Sequence, residues 1–230
     1  MIRRLTALTA TIGLAVAGLT AIAAPTATAA GTCSAYIPSR VSIGQPYRGI
    51  TIRAGSNCQS AQMDWAAWEA YHPTQGYQTS VLFDYPSFSD TWDLYSWDAP
   101  LGRWQWRPAG AYDANSNEIY QYGPYYTDVR LSSYGRVTAT RSGSRVVVRT
   151  AAARYWGAGE KFVGWAYARG QIQYRTPGTS TWRGLKDVYS NSSGTYSYTY
   201  PTSAARYYRV VLYDAANKTI WGSTSPQVYR

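Results

Sequence analysis

Thr195-Tyr196-Ser197-Tyr198-Thr199-Tyr200 decides the fold class, because hydroxyl side chains and tyrosine rings alternate along it at a strict period of two. Successive side chains of a β-strand point to opposite faces of a sheet, so the three rings share one face and the three smaller side chains the other. The segment 207–213 has the same period, with Tyr208 and Val210 on one face and Arg209 on the opposite one. Both segments are therefore predicted to be strands.

The rest of the chain has the same character. Short runs rich in Val, Ile, Tyr, Trp and Thr are separated by Gly, Pro, Asn, Asp and Ser at intervals near ten residues, and helical periodicity is scarce. This pattern is typical of an all-β protein. In the second half the predicted strands are 136–141, 145–150, 162–168, 171–176, 182–188, 195–200, 206–213 and 219–224.

A weak internal repeat divides the chain. Residues 112–120, YDANSNEIY, resemble residues 213–221, YDAANKTIW, at an offset of 101 residues. That period is the length of one sandwich domain, and each copy is predicted to carry a hairpin turn, at 113–117 and at 214–218. We therefore expect two tandem domains after a signal at residues 1–30, one at 31–130 and one at 131–230, with the boundary near Leu131-Ser132-Ser133.

Three spaced motifs stand in the second half: Trp182-x-x-Leu185, Gly194-x-Tyr196-x-Tyr198 and Tyr208-x-Val210-x-Leu212. With the last hairpin, they resemble the immunoglobulin-like and fibronectin type III-like repeats of bacterial, notably actinobacterial, secreted proteins. The resemblance covers about residues 131–230, whereas the first domain matches only at its final hairpin. It implies an immunoglobulin-like β-sandwich with Tyr208 at the tyrosine-corner position. It also implies an accessory or binding role, by analogy with known members.

The N-terminus is typical of a removable secretory signal. Arg3 and Arg4 form a positive start, residues 5–24 are uncharged and mainly apolar or small, and Ala27-x-Ala29 fits the small-x-small rule for cleavage near residue 30. The alternative is a membrane anchor, but the small residues favour cleavage. The mature chain is therefore predicted to be secreted, with no membrane span.

Cys33 and Cys58 are the only cysteines, and both follow the signal. In an oxidising compartment an isolated pair is predicted to form one disulfide. Their spacing matches neither a CxxC redox pair nor a zinc site. With only one histidine in the chain, no metal and no other cofactor is expected.

Charge is divided unevenly between the two halves. Residues 31–130 hold six basic and nine acidic side chains, whereas residues 131–230 hold 14 basic and three acidic ones. The second domain should therefore attract polyanions. The alternative is an arginine-rich composition without a partner. A nucleic-acid partner is not expected, because no recognition motif is present and the compartment is extracellular.

Candidates for catalysis are few. His72 lies in a predicted turn, away from any evident nucleophile. Residues 113–118 begin like a calcium loop, but Glu118 occupies the place of the required glycine, so a hairpin turn is the better interpretation. A carboxylate-based hydrolase would need two acidic groups about 5–10 Å apart across a cleft. The candidates for that pair are Asp84, Asp90, Asp93 and Asp98.

Aromatic residues favour binding instead. The chain has 10 Trp and 23 Tyr but only 3 Phe, so its rings are mostly of the kind that suits half-exposed surfaces. Trp104 and Trp106 share one face of a predicted strand, next to a turn that follows Trp97. They are candidates for an exposed platform that stacks on sugar rings, but for any single Trp the favoured interpretation is that the ring fills the core.

The second domain has a candidate binding face. Tyr207 and Arg209 are predicted to point outward on one strand, and Gln171, Gln173 and Arg175 outward on its neighbour, with Arg183 and Lys186 as possible extensions. Bidentate arginine contacts would let such a face hold an anionic wall polymer or polysaccharide. The alternative is a solvated sheet face.

Taken together, these features favour a non-catalytic module that binds an extracellular or cell-wall polymer. The first alternative is a structural or protein-interaction module of the cell surface, with a protein partner. The carboxylate-based hydrolase is the third.

Overall fold

A computed structural model describes residues 31–230, so the predicted secretory signal at 1–30 lies outside the described residues. Almost all regular structure is β-strand, apart from the helix α1 (Ser56–Ser60) and a short 3₁₀ turn at Gly157–Gly159. The predicted all-β fold is confirmed. Within the described residues, no helix is long and apolar enough to cross a membrane.

Residues 31–130, the N-terminal unit, supply nine strands, the last of which ends at Leu131. They are β1 (Thr32–Cys33), β2 (Arg40–Ile43), β3 (Tyr47–Arg53), β4 (Met63–His72), β5 (Gly76–Asp84), β6 (Ser89–Tyr95), β7 (Gly102–Asp113), β8 (Tyr120–Gln121) and β9 (Tyr125–Leu131). Five of them form a sheet in the order β2-β9-β7-β4-β5, in which β2 and β9 are parallel. The antiparallel pair β3-β6 forms a second sheet, and β1 pairs with β8.

Aromatic rings fill the core of this unit. Trp68, Trp92 and Trp106 are almost completely buried, and the indole of Trp92 contacts those of Trp104 and Trp106 at centroid distances of 5.2 and 5.0 Å. A buried disulfide in the same core joins Cys33 on β1 to Cys58 on α1. The predicted disulfide is confirmed.

Residues 131–230, the C-terminal unit, supply eight strands. They are β10 (Ser133–Ser142), β11 (Arg145–Trp156), β12 (Lys161–Gly164), β13 (Arg169–Arg175), β14 (Arg183–Tyr189), β15 (Thr195–Pro201), β16 (Tyr207–Leu212) and β17 (Val228–Tyr229). One sheet contains β10-β11-β12, with β15 paired to β11, and the other has the order β14-β13-β16-β17. This division of strands between two sheets is that of an immunoglobulin-like sandwich.

The alternation in β15 and β16 gives these strands one inward face each. Tyr208 and Val210 are fully buried, and the hydroxyls of Tyr208 and Tyr200 share a hydrogen bond of 2.6 Å. Burial, and then that hydrogen bond, raise the pKa of Tyr208 well above its ordinary value. Tyr208 thus bonds a neighbouring ring, whereas the tyrosine-corner position implied a bond to the backbone.

The two units share a strand arrangement. In each, one sheet contains four antiparallel neighbours, β5-β4-β7-β9 in the first and β14-β13-β16-β17 in the second. The repeated segments begin where the corresponding strands β7 and β16 end. The sequence repeat therefore marks equivalent positions in the sheets of the two units.

Trp221 is the centre of the contact between the units. Its indole lies between two guanidinium groups, with the central carbon of Arg40 3.8 Å and that of Arg130 3.7 Å from the ring centroid. The indole N–H donates to the carbonyl of Val41 at 2.9 Å. Arg130 is buried and binds the carboxylates of its neighbours Asp128 and Asp214, one from each unit.

The backbone tightens the same junction. Only Ser132 separates β9 from β10, so no flexible linker intervenes. The N–H of Ser132 in the C-terminal unit donates to the carbonyl of Ile43 in the N-terminal unit at 2.7 Å, and the N–H of Leu131, at the end of β9, donates to the carbonyl of Thr219 at 2.9 Å. The two units are therefore held together by backbone as well as side-chain contacts.

Candidate functional site

Strands β13 and β16 bring together the five residues predicted to form the binding face of the C-terminal unit. The Cα partners across this pair include Gln171 with Val211, Gln173 with Arg209, and Arg175 with Tyr207. The side chains that face outward are called the arginine–glutamine surface below: Gln171, Gln173, Arg175, Tyr207 and Arg209.

A chain of hydrogen bonds orients this surface. The Nε–H of Arg209 donates to Oε1 of Gln173 at 2.8 Å, and Nε2 of Gln173 donates to Oε1 of Gln171 at 3.0 Å. Nε2 of Gln171 then donates to the carboxylate of Asp187 at 3.3 Å. Because each amide oxygen accepts from its neighbour, the direction of both glutamine side chains is set before any ligand arrives.

Aromatic rings hold the two guanidinium groups in place. The central carbon of Arg209 lies 4.2 Å from the ring centroid of Trp182, and that of Arg175 lies 4.1 Å from the ring of Tyr207. Partial burial lowers the pKa of Arg209, which remains a cation at neutral pH. Stacked arginines keep their in-plane N–H donors directed sideways, where a carboxylate or phosphate can accept them.

The two arginines differ in how many donors are already used. All three nitrogens of Arg175 donate, two to Oε1 of Gln227 and one to the carbonyl of Thr179. For Arg209, the structured part of the chain offers a partner only to Nε. Arg209 therefore has more N–H groups free to donate hydrogen bonds to an anion. Arg175 contributes positive charge, and its hydrogen bonds fix the edge of the surface.

Unpaired positive charge is general in this protein. Of the 20 lysine and arginine residues from 31 to 230, only Arg130 forms salt bridges within that range. The positive charge of the C-terminal unit is therefore not neutralised by its own carboxylates.

The predicted extension of the surface by Arg183 and Lys186 is wrong. A register shift in the β13–β14 pair places Lys186 opposite the buried Ile172 and Arg183 opposite Tyr174, which packs against the core. The ammonium of Lys186 lies 5.7 Å from the ring of Tyr198 in the other sheet. Both cations thus belong to the edge of the sandwich.

The predicted sugar platform at Trp104 and Trp106 is also wrong. These side chains are only 3 % and 0 % exposed, and their indole N–H groups donate to the carbonyl of Pro100 and the hydroxyl of Thr127. They face inward because that side of β7 packs against Trp92.

Exposed rings occur instead on the neighbouring sheet, where they form an aromatic ladder. Tyr47, Tyr95 and Trp97 are 45 %, 42 % and 59 % exposed. Tyr95 lies 5.3 Å from Tyr47 and 5.0 Å from Trp97, measured between ring centroids. Tyr47 and Tyr95 are Cα partners across the β3–β6 pair, so the ladder crosses from strand to strand.

The residues that the sequence offered as candidates for catalysis or calcium binding make structural hydrogen bonds. The His72 ring is buried, with Nε2 3.3 Å from the carbonyl of Leu101 and Nδ1 3.2 Å from the hydroxyl of Thr74. The carboxylate of Asp113 accepts hydrogen bonds from Asn115 and Asn117, and the bonds from Asn117 lower its pKa. This is the geometry of a turn, as the sequence indicated.

Two of the four acidic residues proposed for a hydrolase, Asp90 and Asp93, accept hydrogen bonds in the structure. The carboxylate of Asp90 accepts from the backbone of Leu82, and that of Asp93 from the hydroxyl of Tyr47. These two residues are three apart on β6, so they point to opposite faces. Among residues 31–230, no group of three His, Cys, Asp or Glu side chains is placed to hold a metal ion.

Sequence reasoning missed two sets of side chains. Trp182 was recognised only as part of a fold motif, yet it stacks on Arg209. Arg103, Gln105 and Arg107 alternate with the two buried tryptophans on β7 and therefore face outward. The run Arg-Trp-Gln-Trp-Arg contains this signal, because burial of one set of alternate residues exposes the other.

Comparisons with known proteins give structural neighbours but no relatives by sequence. No protein-family model matches the chain, and neither does any curated protein. The alpha chain of the chicken interferon gamma receptor is 12 % identical over 78 % of this chain and 90 % of its own, with a TM-score of 0.39. The D0-D1 domain of intimin is 12 % identical over 86 % of this chain and 96 % of its own, with a TM-score of 0.28.

A tetra-tandem repeat from the extending region of a large adhesion protein is 10 % identical over 87 % of this chain and 49 % of its own, with a TM-score of 0.27. Scores of this size carry no argument about function. We therefore infer function only from the surfaces of the chain itself.

Proposed function

We propose that this chain is a secreted, non-catalytic binding module that holds an anionic extracellular or cell-wall polymer on the arginine–glutamine surface. The polymer would be a polysaccharide or another wall polymer that carries repeated carboxylate or phosphate groups. In this proposal residues 131–230 form the docking domain and residues 31–130 a second sandwich domain attached to it.

One observation carries the proposal: two half-buried arginines are fixed against aromatic rings on the same outward sheet face, without salt-bridge partners in the described chain. Arg209 lies over Trp182 and Arg175 over Tyr207, with Gln171 and Gln173 beside them. Guanidinium groups donate two parallel hydrogen bonds to carboxylate or phosphate, and amide side chains bind sugar hydroxyls. The stacked rings reduce the rotamer entropy that binding would otherwise cost.

Secretion is supported by two independent features. The disulfide between Cys33 and Cys58 is of the kind that persists in oxidising compartments. The sequence of residues 1–30 is that of a removable export signal. An anionic polymer outside the cytoplasm is then a partner that the protein would meet.

The test is retention of the purified mature chain on insoluble cell wall, with the double variant Arg175→Gln/Arg209→Gln. We expect this variant to lose at least tenfold in affinity, because each charge-assisted hydrogen bond contributes about 1.5–3 kcal/mol. Binding of the unmodified chain should weaken as salt is raised, since exposed charges are screened.

The matched control is Arg145→Gln/Arg149→Gln, which removes the same charge from the exposed face of β11 in the same unit. This control should lose no more than about twofold, and melting temperatures should show that both variants are folded. Equal losses in the two variants would contradict the proposed surface and indicate a general charge effect.

A second candidate function is favoured by the aromatic ladder of Tyr47, Tyr95 and Trp97. Large exposed rings with polar groups are typical of protein interfaces, and burial of Trp104 and Trp106 removes the platform first considered for sugars. The chain would then be a cell-surface interaction module with a protein partner. Trp97→Ala would abolish partner capture in that case while leaving polymer retention unchanged.

A further inference from the structure

The outward face of β7 in the N-terminal unit carries an arginine cluster that the proposed function does not use. Arg103, Gln105 and Arg107 lie at alternate positions of this strand. On the neighbouring strands, Gln105 has Tyr71 and Tyr126 as its Cα partners. These five residues are called the β7 cluster below.

Both arginines face a carboxylate but do not pair with it. Arg107 is the Cα partner of Glu69, whose carboxylate instead accepts from the hydroxyl of Tyr71 at 2.6 Å. That hydrogen bond raises the pKa of Tyr71. Arg103 is the Cα partner of Asp128, whose carboxylate binds Arg130 at 3.2 Å. Glu69 is thus engaged by Tyr71 of the cluster itself and Asp128 by Arg130, and neither forms a salt bridge with Arg103 or Arg107.

The two guanidinium groups instead lie over tyrosine rings on the two sides of Gln105. The central carbon of Arg107 lies 4.5 Å from the ring centroid of Tyr71, and that of Arg103 lies 4.0 Å from the ring of Tyr126. These two rings flank Gln105 on either side. Arg103 is two residues before Gln105 and Arg107 two residues after it. Both guanidinium groups therefore extend to the row of side chains formed by Tyr71, Gln105 and Tyr126.

Gln105 connects the two halves of the cluster. Its Oε1 accepts from Nε of Arg107 at 2.9 Å, and its Nε2 donates to the hydroxyl of Tyr126 at 3.4 Å. Within residues 31–230, the terminal nitrogens of both arginines have no hydrogen-bond acceptor. The cluster therefore presents two oriented, unsatisfied guanidinium ends to one place.

That place is a cleft of about 450 Å³, lined by the β7 cluster together with His72, Pro73 and Gly76. The volume falls within the range of roughly 300–1,000 Å³ that is usual for small-molecule sites and exceeds the needs of a bare inorganic anion. The cleft therefore fits a ring-sized molecule that carries one oxyanion.

We propose that the β7 cluster is a binding site for an anionic monosaccharide unit, whose single carboxylate or phosphate is held between Arg103 and Arg107. Gln105 would donate to a ring hydroxyl, and the tyrosines would form the walls. The site is separate from the arginine–glutamine surface and does not depend on it. It occupies the equivalent face of the N-terminal unit, because β4 and β7 have there the sheet positions of β13 and β16.

The net charge of the N-terminal unit does not attract anions, because residues 31–130 hold nine acidic side chains against six basic ones. Binding in this unit would therefore require the two converging arginines. A probe that is anionic but lacks access to the cleft should not bind.

The experiment is an NMR titration of the full mature chain, in which the Nε–H signals of Arg103 and Arg107 are followed. The probes are methyl glucuronide for the carboxylate, glucose 6-phosphate for the phosphate and methyl glucoside as the neutral sugar. We expect at least one anionic probe to shift both signals saturably, and the neutral glucoside to shift neither. Which anionic probe binds more tightly identifies the oxyanion.

Arg103→Gln/Arg107→Gln should weaken the bound anionic probe at least tenfold, as read from the shifts of ring signals on the probe. Arg53→Gln is the control, since Arg53 is exposed on β3 in the same unit and its side chain makes no contact of the kinds described above. Two charge-retaining variants, Arg103→Lys and Arg107→Lys, guard against misfolding and should show intermediate affinity. The proposal is overturned if neither anionic probe moves the two signals, if the neutral glucoside binds as well, or if Arg53→Gln weakens binding equally.

Discussion

Trp221→Ala is expected to lower the free energy of unfolding by about 3–5 kcal/mol, the usual range for removal of a buried indole. The side chain is only 8 % exposed, and its ring is covered on both faces by Arg40 and Arg130. Without the ring, Arg130 would keep its salt bridges to Asp128 and Asp214, but water would reach these salt bridges. The bond from the indole to Val41 is lost as well.

This substitution should also uncouple the two units. Calorimetry of the mature chain is the measurement: the unmodified protein should unfold in one transition, and the variant in two, because Trp221 belongs to one unit and its contacts Arg40 and Val41 to the other. Trp97→Ala, at a ring that is 59 % exposed, is the control and should change stability by no more than about 0.5 kcal/mol. A single unshifted transition in Trp221→Ala would contradict the rigid junction.

Cys33→Ser/Cys58→Ser is expected to lower the free energy of unfolding by about 3 kcal/mol, because the disulfide closes a loop of 25 residues in the unfolded chain. The bond ties β1 to α1, neither of which has more than five residues. These short elements contribute little stability of their own, so their order depends on the cross-link.

Urea unfolding of the variant and of the unmodified protein, each with and without reductant, measures this effect. Reductant should destabilise the unmodified protein by a similar amount and leave the variant unchanged. If the variant and the oxidised protein had the same unfolding midpoint, the disulfide would not contribute to stability, which would contradict the expectation.

The all-β fold and the arrangement of one candidate binding face were accessible from sequence because both depend on local alternation. The period of two in 207–213 places Tyr207 and Arg209 on one side of β16, and Gln171 and Gln173 are spaced in the same way on β13. The pairing of those two strands followed from the resemblance to immunoglobulin-like repeats. The division into domains near Leu131 stays a prediction. Of the two buried cores, one is formed by side chains from 33–129 together with Tyr155, and the other by side chains from 137–220.

Burial was the harder question. Alternation shows that Trp104 and Trp106 share a face, but not whether that face meets the core or the solvent. The answer depends on Trp92, which lies on a different sheet and packs against both. The position of the Lys186 side chain depends on a register shift between Ile172 and Gln173, and strand periodicity does not predict such a shift.

The contacts between the two units were not predictable from the sequence. The bond between Trp221 and Val41 joins residues that are 180 positions apart. Similarly, the convergence of Arg103 and Arg107 requires knowledge of which strands flank β7. In each case a single sequence shows the residue type but not the neighbour.

The most direct test of polymer binding is retention of the mature chain on insoluble cell wall, before and after chemical removal of the anionic polymers of that wall. We expect retention on intact wall at low salt, release by about 0.5 M salt, and loss of retention on stripped wall. Equal, salt-resistant retention on intact and stripped wall would contradict an anionic ligand held by the arginine–glutamine surface.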